Sequence, residues 1–448
     1  MWRNIQYGVL AVFLVFSMIP ISFGIDLGIR LNIMTLSVAL FFVFAFNQIR
    51  NNPTEATERN CLKWYSIYVF ITSFVATMLS LYPGDFARNY VAFIVNFILM
   101  PFILSSISFE EERLRKIKKI LVLFYIGVGI YGILNYLVKI NPYLLLMAAI
   151  TDTSASSDFF MNEERGFLQG RVSSFYSSPI LLGQITVIMF GYGVFAFKNA
   201  VNKWLLLPCL FLMALMCLLC GSRSALVPLA LVGIIYLFYN FKEKFLKYLL
   251  LIPFILIIGY SLIPDRHKDS VKAFVYFWND EYAQDVDIHG SSVGLRFNQF
   301  VNGLNVIESN PVLGLGQGYV SQHGADHPEM FGYESFVFQF LVDGGLLGVI
   351  AFTLFYLYLY LSLLRRSGLP YDRMRVHALC LSYLANIFFT GISTGTFSVF
   401  MIFYFLLKAE IQRNEIQKPF VIKWGDKSYI IKFKWRLNDT QKDTLLLA

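Results

Sequence analysis

Charge is scarce in this sequence. Only 15% of its 448 residues are Asp, Glu, Lys or Arg, against 57% hydrophobic, and the mean hydropathy is +0.59. One soluble core could not hide that many apolar residues, which excludes a soluble globular domain and indicates a polytopic membrane protein. A net charge of +8 would suggest nucleic acid in a soluble protein. Here the basic residues stand in short loops between apolar runs, the pattern of cytoplasmic loops, and nucleic acid is set aside as a partner. Cysteine is scarce as well: Cys61, Cys209, Cys217, Cys220 and Cys380 lie in or beside apolar runs, none in an expected outer loop, so no disulfide framework is indicated. Cys217 and Cys220 form a C-x-x-C, but within an expected transmembrane helix they read as small apolar packing residues. There is no repeat of fixed period and no low-complexity tract. The first apolar run starts almost at Met1 without a small-residue cleavage site before the next run, and reads as a retained span.

What is present is a succession of apolar runs. A bilayer core of about 30 Å takes roughly 20 apolar residues per helix, because each residue rises about 1.5 Å and backbone polar groups must pair internally. On that measure the fold class is an all-α polytopic membrane protein of about twelve spans. These lie near 5–23, 31–48, 64–82, 89–107, 119–138, 176–197, 204–220, 225–241, 247–264, 343–363, 374–391 and 394–409. Alternate loops carry Arg50, Arg59 and Lys63; Arg113, Arg115, Lys116, Lys118 and Lys119; Lys198 and Lys203; Lys242, Lys244 and Lys247; and Arg365, Arg366, Arg373 and Arg375. That bias places these loops and both termini in the cytoplasm. The organisation is then residues 1–264 with nine spans and an outer loop at 139–175, a large outer loop at 265–342, three spans within 343–409, and a basic cytoplasmic tail at 410–448. The charged run SFEEERLRKIKK at 108–119 reads as a helix continuing into the cytoplasm with a solvated charged face. Two alternating runs about Gly425-Asp426 in the tail suggest a basic hairpin or an interfacial segment on anionic lipid.

A polar island from Gly290 to Gly348 interrupts the apolar pattern. It holds Arg296, in a segment where Phe297, Phe300, Val301, Leu304 and Ile307 recur at helical spacing. Two further arginines abut spans on the outer side: Arg171 before the sixth, and Arg223 in CGSRSAL at the turn joining the seventh and eighth. Membrane-level arginine is costly, so each is a candidate for holding an anion, with lipid phosphate or a nearby carboxylate as the alternative partner. Guanidinium offers forked donors to phosphate oxygens and a permanent charge to set against a departing diphosphate. Gly314, Gly316 and Gly318 lack the preceding strand of a dinucleotide fingerprint and read as a compact turn after a helix ending at Asn310-Pro311. His323 and His327 stand four apart, but Gly324 and Pro328 favour a loop and no third metal ligand has suitable spacing. Acid–base work, hydroxyl binding or a plain surface loop stay open for them. Glu334 opens an apolar run to Leu364 that would be about 46 Å as one helix, too long for a bilayer, so a bend near Gly344-Gly345 is expected. Glu334 would then stand above the arginines, and Asp343 nearer the membrane surface. A carboxylate there can deprotonate a sugar hydroxyl or simply cap the helix.

The order RVSSFYSSPILLG, GSRSA, GLRF, SNPVLGLGQGY and ESFVFQFLVDGGLLG resembles the O-antigen ligase/polymerase superfamily. The resemblance implies a GT-C-like, metal-independent glycosyltransferase without a cofactor, using an undecaprenyl-diphosphate-linked glycan as donor on the outer face of the bacterial cytoplasmic membrane. By motif position Arg171, Arg223 and Arg296 match the family's substrate-binding arginines. The ligase branch opens its last motif with a His-Asn pair; here Glu334-Ser335 stands in that place, with His323 and His327 upstream, which favours the polymerase branch. Glu334, or else His323 or His327, would assist the acceptor hydroxyl. The partners implied are the lipid-linked oligosaccharide and the bilayer, with room for a polysaccharide chain-length regulator. The alternatives are a ligase delivering glycan to lipid A-core or protein, and a flippase for the same lipid-linked sugar. Flippases tend to carry internal repeats and mid-membrane charges, whereas here the charges cluster at one face.

Overall fold

The computed structural model describes residues 24–26, 30–32, 56–79, 90, 93–106, 110–151, 164–165, 168–261, 268, 293–320, 335–390, 394–416, 420–424 and 427–431. Twelve α-helices occur among them: α1 Ala56–Met78, α2 Met100–Ser106, α3 Glu111–Val138, α4 Pro142–Thr151, α5 Pro179–Ala196, α6 Lys203–Leu219, α7 Arg223–Asn240, α8 Phe245–Ser261, α9 Val293–Val306, α10 Phe336–Arg366, α11 Pro370–Phe389 and α12 Thr394–Ile416. A π-helical stretch, Ile94–Leu99, leads into α2. Helices therefore cover ten of the twelve segments expected to span; the first, 5–23, lies outside the described residues. Of the second, 31–48, only Leu31 and Asn32 are described; with Arg30 they form β2, which pairs antiparallel with β1, Gly24–Asp26. Two more antiparallel pairs follow: β3 Glu164–Arg165 with β4 Leu168–Gln169, and β5 Phe420–Trp424 with β6 Lys427–Ile431; Gly425 and Asp426 between the last two lie outside the described residues.

Among the described residues α3, α5 and α10 are long and apolar enough to cross a membrane; the stretches Ser224–Asn240 and Lys242–Leu251, bent by 117°, pass together as a fourth. At 17 residues each, α6 and α8 reach about 26 Å, short of a bilayer core. The interior is built round α5, which packs on α6, α7, α11 and α12. Small residues set the closest crossings, as expected where lipid offers no hydrophobic drive for helix association. A Cβ on Gly191 of α5 would stand 2.8 Å from the Ala378 carbonyl of α11, and one on Gly129 of α3 would stand 2.8 Å from Leu212 of α6. Cys209, Cys217, Cys220 and Cys380 are buried free thiols in this packing.

The two ends of α5 and α11 differ in chemistry. At one end Lys118 of α3, only 7% exposed, pairs with Glu410 of α12 at 2.9 Å. Arg375 of α11 meets the same carboxylate and lies 3.5 Å from Asp372, while the Tyr192 hydroxyl donates to Glu410 at 2.6 Å. The charged run that opens α3 is thus not solvated throughout. Arg113, Arg115 and Lys116 make local pairs at its surface, but Lys118 turns inward to join an ion cluster.

Candidate functional site

The opposite end of these helices gathers the arginines. Arg171, 2% exposed, donates from Nε to the Cys220 carbonyl at 3.0 Å, and the next amide, Val172, donates to the Leu219 carbonyl at 3.0 Å. The chain before α5 is thereby fastened along the end of α6. The turn it grips, Cys220-Gly221-Ser222, delivers Arg223 as the first residue of α7. The Arg223 side chain lies outside the described residues, but its backbone stands three residues from the carbonyl that Arg171 holds. Gly183 of α5 completes the junction: a Cβ there would lie 2.8 Å from Ala225 and 3.0 Å from the Cys220 sulfur. The segment after Arg171 is secured from the other side. Asn141 donates to Ser173 Oγ at 3.0 Å and the Ser174 carbonyl at 2.8 Å, and the Ser174 hydroxyl donates to the Val128 carbonyl of α3.

Arg296 reaches the same end from the large loop. Its helix, α9, packs on α10 through Phe300, Val306, Ile307, Phe338, Leu341 and Val342. From there Nη2 donates to the Phe389 carbonyl at 3.2 Å, with the guanidinium 5.8 Å from the Phe389 ring. Phe389 is the last residue of α11, whose exposed carbonyls carry the negative end of the helix dipole, a favourable seat for a cation. The adjoining carbonyl, Thr390, accepts the first amide of α10, Phe336, at 3.2 Å. Asn386, one turn back on α11, donates to the Gln184 carbonyl at 3.2 Å, next to Gly183. The close contact at Gly183 and side-chain bonds to backbone carbonyls thus lead from the Arg171 turn through α5 and α11 to Arg296 and the start of α10. Beneath that start lies an aromatic floor. Phe97 stacks on Phe397 at 4.5 Å between centroids, and Phe336 lies 5.0 Å from both Phe340 and Phe352.

The glycine-rich turn and the bend of α10 form one unit. Gly345 has φ 66° and ψ −171° and divides the helix. The break frees backbone groups on both sides, and the turn satisfies them: Leu346 and Leu347 donate to the Pro311 and Val312 carbonyls at 3.0 and 3.2 Å. In return Leu315 and Gly316 donate to the Val342 and Asp343 carbonyls at 2.9 and 3.0 Å. Asp343 then closes the turn with its side chain, accepting from the amides of Gly318 at 2.9 Å and Val320 at 3.2 Å. Both carboxylate oxygens are committed to the turn, so Asp343 holds the loop and is not the carboxylate poised for a sugar hydroxyl. Gln317 ties the turn to α1 through Ser73, at 3.4 Å.

The three expected arginine positions therefore come to one end of the bundle, beside the mouth of α10. Glu334, His323 and His327 lie outside the described residues. Sequence reasoning passed over Asn386 and Thr390, which join α5, α11 and α10, and Ser335, the N-cap of α10. A polar pair inside an otherwise apolar helix end was the available signal for the first two.

Residues 208–353 match the family model described as O-antigen ligase. The match begins in α6 and takes in the Arg223 turn, α9 with Arg296, the glycine turn and the break of α10; Arg171 precedes it. It supports the O-antigen ligase/polymerase superfamily, and with it a glycosyltransferase-like membrane enzyme of surface-polysaccharide synthesis. No curated protein matches the chain.

Proposed function

With the O-antigen ligase/polymerase superfamily as premise, we propose that the chain is a surface-polysaccharide polymerase. It takes a glycan from undecaprenyl diphosphate and adds it to a lipid-linked repeat unit at the outer face of the bacterial cytoplasmic membrane. In this proposal the chain spans twelve times with both termini inside. The observation that carries it is the gathering of Arg171, the Arg223 turn and Arg296 at one end of the bundle, beside the start of α10 at Ser335-Phe336. Transfer breaks the bond between the sugar C1 and the diphosphate oxygen, whose electron pair leaves with the diphosphate. The acceptor hydroxyl oxygen bonds to C1 and gives its proton to Glu334, with His323 and His327 as the alternative acceptors. Arginine charge stabilises the departing diphosphate without a metal ion. A chain-length regulator would act on this same transfer from outside the site.

The test is gel-resolved polymer formation by purified protein in nanodiscs, from its lipid-linked repeat unit alone and with chelator present. A ladder is expected, and Arg296→Ala should slow it by roughly 100-fold or more, as when one preorganised oxyanion donor is removed. The family description favours a second outcome, the ligase. Glycan moving only when lipid A-core or a protein acceptor is supplied would establish it, and no transfer to any acceptor would return the chain to the transporters.

A further inference from the structure

Ser335 is an N-cap that does not cap. Serine at this position ordinarily accepts a hydrogen bond from an amide in the first helical turn, but its side chain makes no cap bond here, and its backbone carbonyl takes the amides of Phe338 and Gln339 instead. The residue is 2% exposed and its hydroxyl has no hydrogen-bond partner among the described residues. A buried hydroxyl left in that condition is costly, and such groups mark places where a ligand completes the bonding. Its position is equally specific. The first amide of α10 sits on the Thr390 carbonyl and the Arg296 guanidinium on the Phe389 carbonyl, so the helix start and the arginine are held by the carbonyls of two adjoining residues. A helix N-terminus carries partial positive charge, which favours an anion beside the hydroxyl.

We propose that the Ser335 hydroxyl and the N-terminus of α10 form, with Arg296, a binding site for a diphosphate oxygen of the polyprenyl substrate. This rests on the donor class assigned above and adds the group that orients it. Ser335 Oγ donates to a non-bridging oxygen, and Arg296 supplies charge on the adjoining side. Apolar residues under the helix start, Phe336, Phe340 and Phe397, keep water from competing. The site discriminates by geometry as well as charge: a free arginine accepts any anion at headgroup level, whereas a fixed hydroxyl beside a helix end selects an oxygen at one height.

The experiment compares the full chain and Ser335→Ala in nanodiscs, measuring the affinity for undecaprenyl diphosphate, displacement by inorganic pyrophosphate, and Tm. Loss of one hydrogen bond to a charged oxygen should weaken undecaprenyl diphosphate binding roughly ten- to hundredfold. Inorganic pyrophosphate should displace the lipid from wild type at lower concentration than from the variant. Tm should hold or rise, because the substitution removes an unpartnered buried hydroxyl. Equal affinities overturn the proposal, as does a lowered Tm with unchanged affinity, which is the behaviour of an ordinary helix cap. Displacement by undecaprenol as effective as by undecaprenyl diphosphate would also overturn it, since lipid alone would then carry the binding. Wild type that binds no undecaprenyl diphosphate removes the donor assignment itself. Diphosphate binding without polymer formation removes the polymerase assignment and leaves the site.

Discussion

Gly344 and Gly345 are neighbours in sequence, and alanine at the two positions should have opposite consequences. At Gly345 the backbone lies at φ 66°, ψ −171°, a region occupied almost solely by glycine. An added Cβ would also stand 2.4 Å from the Val312 carbonyl oxygen and 2.5 Å from the Gly314 nitrogen, both backbone atoms that cannot rotate away. The dihedral strain alone is about 1–3 kcal/mol. Relieving the clash means parting the turn from α10, which forfeits some of the four amide bonds between them, each worth about 1 kcal/mol. The sum is on the order of 3–5 kcal/mol. At Gly344 no positive φ occurs, and the nearest atoms to an added Cβ are 3.9 Å away, an ordinary contact. Alanine there should be neutral or stabilising by up to about 1 kcal/mol through reduced backbone entropy. The assay is thermal unfolding of the two variants in one detergent at one scan rate, since membrane proteins seldom unfold reversibly, paired with the polymer ladder. Gly345→Ala should lose several degrees and most activity; Gly344→Ala should keep both. Equal Tm values for the two variants would refute the account of the break.

Gly183→Ala should impair activity by pushing α5 from the Arg223 turn, because its Cβ would stand 2.8 Å from that of Ala225; adding Ala225→Gly should recover much of the loss, and failure of that rescue in the ladder assay would refute the contact. Glu410→Gln should destabilise by about 3–5 kcal/mol, leaving the buried Lys118 without its carboxylate and Arg375 with Asp372 alone. An unchanged Tm would show the cluster contributes nothing.

Much of the site's frame was legible because it obeys local rules. An apolar run too long for a bilayer, interrupted by paired glycines, forecast the break in α10, and Pro311 with three spaced glycines forecast the turn. Neither indicated that the two would exchange hydrogen bonds, since the partners are main-chain groups that any sequence possesses. The same holds for Arg171: its charge marked it, but the Cys220 carbonyl that receives it carries no sequence signature. Lys118 and Glu410 stand far apart in the chain, and a lysine within a charged run reads as solvated until packing turns its helix face inward.

The clasp between the glycine turn and α10 has an evolutionary corollary. The chain departs at Val320, whose amide is held by Asp343, and returns at Ser335, eight residues earlier on the same helix and about 12 Å away. Both ends of the intervening stretch are thus moored to one rigid post. Lengthening such a loop twofold costs only about 0.6 kcal/mol in closure entropy. A change of length between Val320 and Ser335 therefore leaves the two moorings, and the arginine positions beside α10, where they are.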